Sequence, residues 1–137
     1  MKLQAFLVAA TLVAFSGAAP CQRHTAAQAC FDEGGQVQAR ECLEDRFRTS
    51  EAELKNAEAA SLAALGHWQE APANRAKSLK ALKESAIAFH RYRTKQCALQ
   101  ASLTAGGTGT GHRRLLCAIE LNQRRIADLR SVEMDAP

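Results

Sequence analysis

Aromatic side chains and prolines are scarce in this chain of 137 residues. Phe, Trp and Tyr together make up 5% of the sequence, and three residues are proline. The aromatic residues beyond the first twenty positions are Phe31, Phe47, Trp68, Phe89 and Tyr92. Because a core with so few large side chains is small, it usually needs covalent reinforcement. We therefore expect one small domain that is held by disulfides.

Long apolar runs and strictly alternating segments are missing beyond residue 20. No later stretch is apolar over a length that could span a bilayer, so we predict no transmembrane segment. No segment alternates between apolar and polar residues, so we predict no β-strand. The run GGTGTGHR, from Gly106 to Arg113, has no lysine after its last glycine. Since it also follows a predicted helix, we interpret it as a turn and not a phosphate-binding loop.

The first twenty residues have the composition of a secretory signal peptide. Lys2 precedes an apolar run from Ala5 to Phe15, which is too short for a permanent membrane helix, and small residues follow. We predict a signal peptide over residues 1–18, with cleavage after Ala18. Export would place the mature protein in the periplasm or outside the cell, where cysteines are oxidised.

Three segments beyond residue 35 carry apolar residues at helical spacing. The predicted helices cover residues 36–68, 75–103 and 113–132. Long helices joined by short turns can bury their apolar faces only against one another. The sequence therefore predicts an all-α fold, an antiparallel three-helix bundle of residues 36–132, preceded by a short N-terminal arm of residues 19–35.

Five cysteines predict two disulfides and one cysteine left over. Cys21 is the odd one: it is either free, paired between chains, or lipidated as the anchor of a lipoprotein. Four cysteines are predicted to pair within the chain: Cys30, Cys42, Cys97 and Cys117. Since Cys97 and Cys117 lie ten residues on either side of Gly107, we favour Cys97–Cys117 with Cys30–Cys42. The alternative is Cys42–Cys97 with Cys30–Cys117.

The titratable residues form no pattern that predicts catalysis or metal binding. The histidines are His24, His67, His90 and His112. None of them pairs with another ligand at the spacing that a metal site needs. Glu51, Glu53 and Glu58 are interleaved with lysine and alanine, which is typical of a solvated helix face. We therefore predict that the protein is not an enzyme and binds no metal or cofactor.

Two arginines lie at positions that face the predicted core. Arg93 follows Phe89 by one helical turn, and Arg125 is next to Ile126. An inward arginine needs an acidic partner, because an unpaired buried charge costs several kcal/mol. Glu51 is the predicted partner in a structural ion pair. The alternative is that Glu51, Arg93 and Arg125 are unlinked surface charges.

Several stretches of the sequence resemble one family. They are QVQAREC ending at Cys42, EAELKNA from Glu51, AFHRYRTKQC ending at Cys97, the Gly106–Gly107 pair, and CAIELNQRRIADL from Cys117. Over about residues 28–131 the chain resembles the LprI-like lysozyme-inhibitor N-terminal domain family, formerly a domain of unknown function. The resemblance implies a small, secreted, helical protein of a bacterial envelope.

The resemblance also assigns roles to single residues. Arg93 and Arg125 match the arginines of the family, and Glu51 stands where the family usually has aspartate. Three departures indicate a divergent member: Phe89 replaces the usual tryptophan, His90 an aliphatic residue, and Thr94 an aspartate.

From this resemblance we predict a non-catalytic protein that binds and blocks a lysozyme or another peptidoglycan lytic enzyme. Because this chain and most animal lysozymes are basic, electrostatic steering toward such a lysozyme is unfavourable, and a protruding loop would have to make the contact. The loop residues are Thr104, Gly106, Gly107, Thr108, Gly109, Thr110, Gly111 and His112.

The alternative function is an envelope scaffold that binds anionic glycan or lipid. The formal net charge is +4, which favours anionic envelope material but is too dilute to indicate nucleic-acid binding. The arginines that would make these contacts are Arg46, Arg48, Arg91, Arg113, Arg114, Arg124 and Arg130.

Overall fold

The protein folds as a bundle of three long helices. A computed structural model describes residues 27–32, 34–107 and 109–135. Its helices are α1 (Gln36–His67), α2 (Pro72–Ser102) and α3 (Gly109–Asp135), and a short 3₁₀ helix (Gln28–Phe31) precedes them. No strand occurs within these ranges, so the predicted all-α bundle is confirmed. The predicted signal peptide and Cys21 lie outside the described residues.

Helix α2 begins three residues before its predicted start. Pro72 is the first residue of the helix. Its fixed φ suits this position, and its missing N–H group leaves no donor unsatisfied there. The amide of Arg75 donates to the carbonyl of Ala71 at 3.1 Å. Pro72 therefore belongs to the helix and not to the turn that the predicted start at residue 75 implied.

Helix α3 begins at Gly109, four residues before its predicted start at residue 113. The amide of Thr110 donates to the carbonyl of Gly107 at 3.0 Å, and its hydroxyl donates to the same carbonyl at 2.7 Å. The amide bond satisfies one of the free N–H groups at the start of this helix, and the hydroxyl bond holds Thr110 against the turn. The predicted loop is consequently shorter than expected, because Gly109 to His112 form the first turn of α3.

Two hydrogen bonds fix how α1 and α3 lie against each other. Ser61 donates to the carbonyl of Leu129 at 3.2 Å, and the Asn122 side chain donates to Ser50 at 3.0 Å. Since the residue numbers of the paired positions increase together along both helices, α1 and α3 are parallel, and α2 runs antiparallel to both. Of the three pairs of long helices, α1 and α3 pack most extensively and α1 and α2 least.

The core consists of two apolar clusters. One is centred on Leu54, Leu82 and Leu129. The other joins Leu43 and Ile119 to the residues that surround the short N-terminal helix. The two clusters follow from the spacing of apolar residues along α1 and α3, which places one face of each helix inward. Within the described residues, no helix has the length and apolar character needed to cross a membrane.

Both disulfides close at the same end of the bundle. Cys30 pairs with Cys42, with their Cα atoms 5.7 Å apart, and Cys97 pairs with Cys117, with a Cα separation of 5.5 Å. The favoured pairing is confirmed, and the alternative that joined Cys42 to Cys97 is wrong. One bridge joins the N-terminal 3₁₀ helix to α1, and the other joins α2 to α3 near their connecting turn.

Candidate functional site

The candidate binding surface is the end of the bundle where both disulfides lie. We define the disulfide end as the two disulfides, the turn over residues 103–107 and the first two helical turns of α3. The turn is short because each side is bonded: the amide of Thr104 donates to Ala101, and that of Gly107 donates to Thr104, both at 3.2 Å.

The turn reverses the chain through two residues with positive φ. Gly106 has a φ of 79°, which glycine adopts readily, and Ala105 has a φ of 51°, which strains a residue with a Cβ atom. The hydroxyl groups of Thr104 and Thr110 lie 2.6 Å apart and link the two sides of the turn. Leu103 begins the turn and is 71% exposed, so an apolar side chain projects from a well-bonded tip.

His112 is held differently from the rest of the predicted loop. Its ring packs edge-on against the ring of Phe31, with the centroids 5.8 Å apart. His112 is therefore part of the contact between α3 and the N-terminal segment and is only partly exposed. Thr108, another predicted loop residue, lies outside the described residues.

An apolar groove opens between the helices next to the turn. It has a volume of about 360 Å³. Its apolar wall is formed by Phe47, Cys97, Ala98, Leu115 and Ala118, and Thr94 lines it as well. The groove lies at the disulfide end, and residues of all three helices line it. Two guanidinium groups, those of Arg93 and Arg114, complete the lining.

A buried polar layer separates the two apolar clusters below this groove. Arg93 donates to both carboxylate oxygens of Glu51, one of them at 3.3 Å, and to the side-chain carbonyl of Asn122. Asn122 in turn donates to Glu51 at 2.7 Å and to Ser50 at 3.0 Å. Because α1, α2 and α3 each contribute to this layer, it fixes the axial register of the bundle.

The environment of Glu51 favours its ionised form. Partial burial acts to raise the pKa of the carboxyl group, but the hydrogen bonds from Arg93 and Asn122 and the electrostatic interactions with Arg93 and His90 outweigh it. The net result is that the pKa of Glu51 lies below its ordinary value. The Arg93 side chain is 13% exposed and that of Glu51 is 38% exposed, so the pair is reached by water from one side.

The second inward arginine is bonded without a carboxylate. Arg125 donates to the hydroxyl of Ser85 at 2.6 Å, and its guanidinium carbon lies 5.8 Å from the ring centroid of Phe89. Its Nε atom is buried and has no hydrogen-bond partner among the described residues. The structure thus brings Glu51 to Arg93 and not to Arg125.

Sequence reasoning missed Asn122 and Ser50, which are both buried. A signal was available, because each residue interrupts an inward-facing row: Asn122 lies between Ile119 and Ile126 in α3. A polar residue at a core position of a helix predicts a buried hydrogen-bond partner. The partner itself could not be read from the sequence, since it depends on which helices are neighbours.

The other predicted arginines lie on the surface and are not gathered in one place. Arg48 pairs with Asp45, and Arg113 donates to Gln100 at 3.1 Å. Among the described residues, no carboxylate lies within ion-pair distance of the remaining ones: Arg46, Arg91, Arg114, Arg124 and Arg130. Of these, Arg114 lies at the disulfide end.

The carboxylates and histidines of the described chain form no group of three or more that could hold a metal ion. Glu58 approaches His90, with Glu58 Oε1 3.7 Å from His90 Nε2. This pair lies beside Glu51 in a shallow depression. The depression is on the opposite side of the polar layer from the disulfide end.

A sequence model described as Lysozyme inhibitor LprI matches residues 26–129, which is most of the chain. The chain belongs to the LprI lysozyme-inhibitor family. The matched region of this LprI-family protein spans both disulfides, the polar layer and nearly all of the three helices. No curated protein and no solved structure matches it. The family therefore indicates a lysozyme-inhibitor-like protein, and the residues that make contact have to be argued from the structure.

Proposed function

We propose that this LprI-family protein is an exported, non-catalytic inhibitor that binds a lysozyme or another peptidoglycan lytic enzyme through its disulfide end. The observation that carries the proposal is the combination of the family match with a turn that is clamped at its base by Cys97–Cys117. Export follows from the predicted signal peptide over residues 1–18, and the two disulfides fit an oxidising compartment.

The disulfide end is suited to binding because it is already ordered. A recognition element that is fixed before binding loses little conformational entropy when the complex forms. The turn is bonded on both sides, and the disulfide prevents α2 and α3 from separating. The exposed Leu103 side chain at the start of this turn can be buried in a concave cleft. Occupation of the cleft would then exclude the glycan substrate.

The test is an activity assay of lytic enzymes on bacterial cell walls. The oxidised mature protein, beginning at residue 19, is added to lysozymes of different types, and the rate of clearing is measured. We expect a dose-dependent slowing of at least one enzyme. Absence of any slowing at a large molar excess, for every enzyme tried, would remove this function.

A matched pair of variants locates the contact. Leu103→Asp places a charge on the turn, whereas Ile87→Asp places the same charge on an exposed leucine-sized residue in the middle of α2. We expect Leu103→Asp to weaken inhibition at least about tenfold and Ile87→Asp to leave it unchanged. Equal effects of the two substitutions would show that the turn is not the contact.

Binding to anionic envelope material is the second candidate function, favoured by the exposed arginines that lack an acidic neighbour. Arg91, Arg114, Arg124 and Arg130 point to solvent. Co-sedimentation with peptidoglycan or lipopolysaccharide at increasing salt would test it, since such binding should weaken steeply with salt. Binding that is absent or insensitive to salt would count against it. The mass of the mature protein would show whether Cys21 carries a lipid.

A further inference from the structure

We propose that the apolar groove next to the turn receives an apolar side chain of the partner enzyme, and that Arg114 pairs with a carboxylate of the enzyme beside it. This inference rests on the proposed inhibitory function and names the chemistry of its contact. The partner would therefore present an acidic residue next to an apolar one at the rim of its cleft.

The walls of the groove fit an apolar side chain. Phe47, Leu115 and Ala118 line it together with the Cys97 end of the disulfide, and its volume of about 360 Å³ lies near the lower end of the roughly 300–1,000 Å³ of small ligand sites. Filling such a groove removes apolar surface from water on both proteins, which is the main source of affinity in a buried contact.

The unpaired charge at the rim of the groove is positive. Arg114 is exposed, and no carboxylate lies within ion-pair distance of it among the described residues. Arg91 is exposed three residues before Thr94, on the same face of α2. Arg93 also reaches the groove, but its charge is balanced by Glu51. The free positive charge therefore comes from Arg114 and Arg91, and it is complementary to a carboxylate.

The depression at the opposite end of α1 and α3 lacks this character. It is lined by Arg130 but also by Glu53 and Glu133, so its charges are mixed. It offers a control surface of similar size, with volume of about 330 Å³, built from the same kinds of helix. Of these two surfaces, the groove at the disulfide end is the one that combines an apolar wall with an unbalanced positive rim.

The rim charge also distinguishes an enzyme partner from a second copy of this chain. In a two-fold symmetric dimer the same patch would lie on both sides of the interface. The arginines of the two copies would then face each other without carboxylates between them, which costs free energy. An acidic-and-apolar segment of another protein meets no such repulsion. The same argument favours lytic enzymes with an acidic cleft rim over strongly basic ones.

The experiment measures Kd for a lytic enzyme that the wild-type protein inhibits, using five variants. Ala98→Trp fills the groove from an exposed helix position, and Arg114→Glu reverses the rim charge. Ala60→Trp and Arg130→Glu make the same changes at the opposite depression. Circular dichroism and thermal unfolding verify that these variants and Arg114→Lys remain folded. Arg114→Lys tests whether the positive charge is what matters.

We expect Ala98→Trp and Arg114→Glu each to weaken binding at least about tenfold, and both control variants to stay within about twofold. Arg114→Lys should retain most of the affinity, and the loss caused by Arg114→Glu should shrink at high salt.

Two results would overturn the inference while leaving the proposed function intact. One is that the groove variants bind the enzyme with the same Kd as the control variants. The other is self-association of the wild-type protein that Ala98→Trp abolishes without a change in enzyme binding, which would assign the groove to a second copy. If the wild-type protein binds no lytic enzyme, both the proposed function and this inference fail.

Discussion

Arg93 on α2 donates hydrogen bonds to both carboxylate oxygens of Glu51 on α1. The same guanidinium reaches Asn122 on α3 and lies 5.9 Å and 5.8 Å from the ring centroids of Phe47 and Phe89. One side chain thus connects all three helices in the polar layer between the two apolar clusters. The layer permits one axial register, because a shift of any helix would leave its donors and acceptors unpaired.

Removal of the Arg93 guanidinium should destabilise the fold strongly. Arg93→Met keeps the length of the side chain but leaves Glu51 and the side-chain carbonyl of Asn122 without their donor. Breaking a buried pair costs about 3–5 kcal/mol, and partial exposure of Glu51 brings the expected loss of unfolding free energy to about 2–3 kcal/mol. Urea denaturation measures it.

The matched control is Arg91→Met, which changes an exposed arginine two residues away in the same helix. Its expected effect is within about 0.5 kcal/mol. If Arg93→Met were as mild as the control, the polar layer would not hold the bundle in register.

Acidification should destabilise the protein through Glu51. The pKa of Glu51 is lowered in the folded state, so the folded protein holds this proton less tightly than the unfolded chain does. The stabilisation is complete above the ordinary pKa of a glutamate and is lost as the pH falls through the lowered value. Urea denaturation between about pH 6 and about pH 3 should therefore show a steeper loss of unfolding free energy in the wild-type protein than in Glu51→Gln. Parallel pH curves would contradict the assignment.

The Cys97–Cys117 bridge should contribute strongly to stability. It closes a loop with a sequence separation of 20 residues, for which the chain-entropy estimate is about 3 kcal/mol. The double substitution Cys97→Ser with Cys117→Ser should lower the unfolding free energy by about that amount.

Peptide mapping of the oxidised protein by mass spectrometry should recover the bridges Cys30–Cys42 and Cys97–Cys117. A bridge between Cys42 and Cys97 would contradict the fold.

Two alanine-to-glycine substitutions should change the free energy of unfolding in opposite directions. Ala105 has a φ of 51°, where an L-residue loses about 1–2 kcal/mol. Ala105→Gly relieves this strain at the cost of a more flexible unfolded chain, so we expect a net gain of up to about 1 kcal/mol. Ala98→Gly, at an exposed site inside α2, should instead lose about 1 kcal/mol. Thermal unfolding of both variants measures the difference, and stability changes of equal sign would contradict a left-handed conformation at Ala105.

The helices and the disulfides could be predicted from the sequence because both follow from the spacing of residues along the chain. The positions of Cys97 and Cys117 around Gly107 indicate a hairpin directly. Helix starts were less accessible: Pro72 and Gly109 have residue types that usually mark turns, and local hydrogen bonds decide that they belong to helices.

The candidate site could be predicted only in part from the sequence. The turn was found from its glycines, but its length depends on the hydroxyl groups of Thr104 and Thr110, whose contact no periodicity reveals. The apolar groove was not predicted at all. Residues of all three helices line it, so it depends on how the helices pack together and not on the sequence of any one of them.

The central claim is that the disulfide end contacts a lytic enzyme. Hydrogen–deuterium exchange of the oxidised protein, alone and bound to an enzyme that it inhibits, tests this claim most directly. We predict that binding slows amide exchange in the turn over residues 103–107 and in the helix segments that line the apolar groove, around Ala98 and Leu115. Slowed exchange confined to the opposite end, around His67 and Pro72, would contradict the account.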